Sequence, residues 1–311
     1  MGEILDALRR ADEERMHASR SRPVARSEPS HPPVPLRPAR TLEGDSSPAP
    51  EVQPALPLRP SDVVEAAPLR IKVPRERSRG WPARAVVVEK AGPVAESYRH
   101  FAVRLRQAMA SRRARTVVVT SSVRSEGKTT TSCNLALALA SISGSGDRRI
   151  ALVDLDLRQP AVAPAFGWQP SPGIDRVLLR EVPLEAARVA TDVKGLELFG
   201  VEQRRPNAHE ILSQEALQVT LQELGARYDL VVVDSPPTLL VPDTALLLQH
   251  LPVFVAVARA GTTRMAAFRA MIEQLGRGKL VGSFMNEISQ PRHLTNYGHY
   301  SYDDMAEVEK K

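Results

Sequence analysis

The stretch SSVRSEGKTT at 121–130 closes on Gly127, Lys128, Thr129 and Thr130, residue types that together can hold a phosphate. A flexible small-residue loop turns its backbone N–H groups toward phosphate oxygens, lysine adds a point charge, and the first threonine hydroxyl can ligate a divalent cation. The match to G-x-x-x-x-G-K-[ST] is incomplete, because Ser122 stands at the first glycine position; Ser125 and Glu126 complete the candidate loop. Two further acidic motifs follow. ALVDLDLRQP carries Asp154, Asp156 and Arg158, and VVVDSPP carries Asp234, each at the end of an apolar run. Carboxylates at i and i+2 of a strand end point to one side and repel unless a cation joins them. The expectation is therefore that Asp154, Asp156 and Asp234 converge on one magnesium ion beside Lys128, with Thr129 as a further ligand. In MNEI, Asn286 is a candidate reader of an adenine edge, and Arg158 a further nucleotide contact.

These motifs need strands to carry them. Apolar runs recur at 116–120, 149–156, 196–200, 229–237, 253–258 and 279–286, mostly separated by helical patterns. Val-rich runs without alternation suit strands buried on both faces of a parallel sheet, with helices as crossovers. Ahead of them, Tyr98, Phe101, Leu105 and Met109 form one stripe of a helix over 96–109. The fold class expected is α/β, a doubly wound, mostly parallel sheet of the P-loop NTPase type over 84–290, with ligands at the carboxyl ends of the strands.

The flanks differ in composition. Residues 1–22 place Ile4, Leu5, Leu8 and Ala11 on one face of a short amphipathic helix. From 23 to 83 the chain is rich in Pro, Arg, Ser and Glu, without periodicity, and reads as a disordered linker that cannot bury enough to offset its ordering entropy. Residues 291–311 form a flexible polar tail in which NYGHYSYDDM groups Tyr297, Tyr300 and Tyr302, three of the five tyrosines. Of 311 residues one is cysteine, Cys133, which excludes a disulfide framework and any multi-cysteine metal site. The net charge of +6 is spread thinly, so no nucleic-acid face is expected. The most apolar long run, 245–260, is interrupted by Gln249, His250, Pro252 and Arg259, and the N-terminus lacks a secretory pattern, so a cytoplasmic location is expected.

SEGKTT, LVDLDLR and VVVDSPP, in this order and spacing, resemble the Walker A, Walker A′ and Walker B motifs of the bacterial tyrosine kinases, autokinases of capsular and exopolysaccharide synthesis. AESYRHF, RRPNAHEIL and the tyrosine-rich C-terminus agree, so the likeness covers about 90–302. Val123 stands where the partitioning and septum-site ATPases carry their signature lysine. The resemblance implies ATP and Mg²⁺ as cofactors, Lys128 and Thr129 as their holders, and Asp154 and Asp156 as metal and catalytic residues, with Asp234 completing the site. It implies transfer of the γ-phosphoryl group of ATP to Tyr297, Tyr300 and Tyr302, and oligomer contacts through Glu96 and Arg99. It also implies an activating cytoplasmic segment of a membrane polysaccharide co-polymerase, which recruits the kinase to the inner face of the membrane, and an opposing phosphotyrosine phosphatase. The alternative expectation is a nucleotide-switched ATPase, or a degenerate kinase, acting as a scaffold for the export machinery.

Overall fold

The structure is a computed structural model that describes residues 69–72, 92–143 and 148–287. The helix expected over 1–22, the linker over 23–83 apart from 69–72, and the tail over 291–311 with Tyr297, Tyr300 and Tyr302 lie outside the described residues.

Among the described residues eight strands form one sheet: β1 Leu69–Ile71, β2 Thr116–Ser121, β3 Ile150–Asp154, β4 Val189–Thr191, β5 Leu196–Phe199, β6 Leu230–Asp234, β7 Phe254–Arg259 and β8 Leu280–Asn286. Their order is β1-β4-β5-β3-β6-β2-β7-β8. Neighbours pair parallel, except β4 with β5. All six apolar runs read from the sequence are strands. The two that periodicity missed, β1 and β4, span three residues each, too few to show a pattern. β1 falls inside the stretch expected to be linker. Its LRI segment is ordered by main-chain pairing with β4, a tertiary cause invisible in composition.

Alternation along the central strands builds two cores, one on each face. Val117, Val119, Ile150, Leu152 and Val232 pack with Tyr98 and Leu105 of α1 (Pro93–Ser111) and Leu135 of α2 (Lys128–Ser141). Phe166 of α3 (Val162–Phe166) joins that layer. Val118, Val153, Val231 and Val233 face the other way. Their partners are Ile174 of α4 (Ile174–Leu178), Ile211 of α5 (Ala208–Leu212), Leu217 of α6 (Glu215–Arg227), Leu248 of α7 (Asp243–His250) and Phe268 of α8 (Met265–Leu275). Each fully buried Val or Leu contributes about 1.5–3 kcal/mol, which is why both faces of the sheet are covered.

Two helices bear directly on the site. In α1, Pro93 occupies the first turn, where no N–H is needed, and Tyr98, Ala102, Leu105 and Met109 form the buried stripe. Tyr98 stacks on Phe284 of β8 with ring centroids 4.6 Å apart. Helix α2 is buried on all sides from Thr131 to Ala140, so the loop before it cannot shift without disturbing the core.

Candidate functional site

Register places the acids. Asp154, the last residue of β3, lies opposite Asp234, the last of β6, and Val119 of β2 pairs with Asp234 on the other side. The loop 122–127 leaves β2 at the same end of the sheet and enters α2 at Lys128. Gly127 caps that helix with φ +90, and a Cβ there would stand 2.3 Å from Asn286 Nδ2. Glycine is required on both counts.

Lys128 Nζ donates to Asp156 Oδ2 at 2.8 Å and lies 3.9 Å from Asp234 Oδ2. Burial draws its pKa down, yet Asp234 and then Asp156 more than offset this and hold it above the ordinary lysine value. Thr129 Oγ1 donates to Asp234 Oδ2 at 2.6 Å, and Ser132 Oγ to Asp234 Oδ1 at 2.9 Å. Asp234 is fully buried, and that burial raises its pKa despite Lys128 and Thr129 acting in the other direction.

Asp154 stands beside Asp234, Asp156 and Lys128, and its own oxygens are engaged by the turn that follows β3. Its Oδ1 accepts from Asp156 N at 3.1 Å, and its Oδ2 from Ala161 N at 2.9 Å and Val162 N at 3.0 Å. The strand ends at Asp154, so the i and i+2 rule stops there. The side chain folds back over its own turn and anchors the start of α3 instead. Among the described residues no three His, Cys, Asp or Glu side chains form a metal-holding group. Burial, and next the Asp234 carboxylate, pushes the Asp154 carboxyl up to about 8.

Other candidates have partners within the chain or lie at its surface. Asn286 Nδ2 donates to Glu126 O at 3.0 Å, Gly127 O at 3.3 Å and Thr131 Oγ1 at 3.1 Å, which leaves the amide no donor for an adenine edge. Arg158 grips Asp243 with Nε at 2.8 Å and Nη2 at 3.2 Å, and Nη1 donates to Pro206 O. This two-point pairing ties the turn after β3 to the first residue of α7. Ser125 is exposed at the loop tip, Thr130 is half-buried on the first turn of α2, and Glu126 turns its carboxylate inward. Glu96 and Arg99 are both on α1 and ion-pair with each other within the chain. Cys133 is a buried side chain whose thiol is pushed up by burial and then by Asp234.

With this geometry in place, the relatives decide between phosphate-binding families. Residues 114–259 match the family described as an AAA domain. The chain is 32% identical over 211 residues to the tyrosine-protein kinase YwqD of Bacillus subtilis, a match covering 67% of this chain and 87% of that one. The chain belongs to the bacterial tyrosine kinases. The tyrosine-protein kinase ptk of Acinetobacter johnsonii is 27% identical, and the match covers 63% of this chain but only 26% of that protein. Among solved structures, the BceF tyrosine kinase domain is 30% identical with a TM-score of 0.56, covering 62% of this chain and 77% of that one.

In this member of the tyrosine kinases several site-supporting residues escaped the sequence reading. Ser132 follows Thr129 by one helical turn, which is the sequence signal that puts both hydroxyls on Asp234. Asp175, fully buried, accepts from Glu202 N at 2.8 Å and from Arg205 Nε at 2.9 Å and Nη2 at 2.7 Å, thereby fixing the RRPNAHE segment. Asp243 and Thr263 act through partners far away in the chain, and neither stands in a motif.

Proposed function

We propose that this chain is an ATP-dependent protein-tyrosine autokinase that phosphorylates Tyr297, Tyr300 and Tyr302 and so regulates polysaccharide polymerisation or export. The observation that carries the reading is the meeting of Lys128, Thr129, Asp156 and Asp234 at the strand ends directly behind the phosphate loop. The fate of the other tyrosines supports it. Tyr98 and Tyr228 are buried, and burial raises the Tyr98 phenol to about 12, so neither can present a hydroxyl to a nucleotide.

In the reaction, the phenolic oxygen forms a bond to the γ-phosphorus as the bond from that phosphorus to the bridging oxygen of ADP breaks. Positioning and charge neutralisation dominate such a loose transition state. Lys128, released from Asp156 onto the β and γ phosphates, balances developing charge. Asp156 then has an oxygen open to accept the phenolic proton, whereas Asp154 is occupied by three backbone N–H groups. The oxygen-only pair of Thr129 and Asp234 fits Mg²⁺, which would supply further neutralisation on the phosphates.

The proposal includes an activating cytoplasmic segment of a membrane co-polymerase, homo-oligomers using the Glu96 and Arg99 face, and a phosphatase that resets the tail. Among the described residues no helix is long and apolar enough to cross a membrane. The test is to incubate the full chain with Mg-ATP and the partner segment and to count released phosphate against phosphotyrosine. Phosphotyrosine that disappears in Lys128→Met supports the kinase; steady ATP turnover with no phosphotyrosine points to a nucleotide-switched ATPase instead.

A further inference from the structure

The phosphate loop is held from behind by residues that face away from the phosphate side. Glu126 is fully buried. Its carboxylate accepts from Ser122 Oγ at 2.9 Å, from Val123 N at 2.9 Å, and from Thr263 Oγ1 on the loop between β7 and α8. Thr263 Oγ1 itself accepts from Arg259 N at 2.8 Å, so its single proton is directed at Glu126. The Arg259 side chain continues the link, with Nη1 donating to Ser125 O at 3.2 Å. From the end of β8, Asn286 holds the carbonyls of Glu126 and Gly127. Ser125 meanwhile sits at φ 65, in the left-handed region that strains a non-glycine residue, and these contacts hold it there.

We propose that Glu126, Thr263 and Asn286 are positioning residues for nucleotide binding. They hold the Glu126 and Gly127 carbonyls, the Glu126 carboxylate and the Val123 N–H inward, and so leave the loop's remaining N–H groups and Lys128 to the phosphates without touching the nucleotide. Glu126, read from the motif as a nucleotide contact, acts through Thr263 on the loop instead. The inference rests on the nucleotide-binding half of the kinase reading.

The test uses the full chain, with Mg-ADP affinity by calorimetry, KM for ATP, kcat, and melting temperature. Glu126→Gln puts an amide N–H₂ against donors and is expected to weaken Mg-ADP binding tenfold or more. KM for ATP rises in parallel while kcat changes little, because the clamp sets the loop before chemistry begins. Thr263→Val, which keeps the volume and removes the hydroxyl, is expected to shift affinity in the same direction, and Thr263→Ser to restore it. That rescue separates positioning from a general loss of stability, and it stands even where Glu126→Gln does not fold. Wild-type affinity in folded Glu126→Gln and Thr263→Val overturns the clamp alone. A wild-type chain that binds no Mg-ADP overturns the nucleotide reading, and the clamp with it.

Discussion

At the scale of single residues, Lys128 bridges two carboxylates that would otherwise repel each other inside a buried site. Lys128→Met removes that cation and the charge that meets the phosphates. Phosphotyrosine formation is expected to fall about a hundredfold or more, read by single-turnover transfer from labelled ATP. Asp154 gives a pH dependence. Burial, then Asp234, raises its pKa to about 8 in the folded chain, against the ordinary value of 3.8. The folded state therefore keeps a proton that the unfolded chain has released, so this stabilising contribution is full below the unfolded value and fades as pH rises through about 8. Nucleotide-free protein is expected to melt several degrees lower at about pH 9 than at about pH 6, with Asp154→Asn flattening the difference; equal melting temperatures contradict it. Lys128, Thr129 and Asp234 were legible because their chemistry is local to a motif. The turning-back of Asp154 and the occupation of Asn286 were not, since each depends on where a strand stops and what lies against its end.

At the scale of elements, the loop between β2 and α2 is framed by a strand buried along its whole length and a helix buried from Thr131 to Ala140. Gly127→Ala forces a Cβ to within 2.3 Å of the Asn286 amide at a φ of +90. The expected outcome is a folded protein with weakened Mg-ADP affinity, checked by calorimetry. The segment after β5 depends on the buried Asp175. Removing it in Asp175→Ala leaves Arg205 and two backbone N–H groups without their acceptor, for an expected loss of about 3–5 kcal/mol in denaturant unfolding. Six strands and α1 were legible from apolar runs and a single stripe. β1 and β4 were hidden, because a three-residue strand is ordered by its neighbour rather than by its own sequence.

At the scale of the whole molecule, a doubly wound sheet delivers the phosphate loop, Asp156 and Asp234 to the carboxyl ends of three adjacent central strands. On the proposed reading the acceptors are Tyr297, Tyr300 and Tyr302, which lie outside the described residues. A triple change of Tyr297, Tyr300 and Tyr302 to Phe is accordingly expected to abolish autophosphorylation while leaving melting temperature and Mg-ADP affinity unchanged. The measurement that bears most directly on this account is mass-spectrometric mapping of phosphate on the full chain after incubation with Mg-ATP and the partner segment. The expected result is phosphate on Tyr297, Tyr300 or Tyr302, and none in Lys128→Met. Phosphate on Tyr98 or Tyr228 with a bare tail, or tail phosphorylation that survives in purified Lys128→Met, would contradict it.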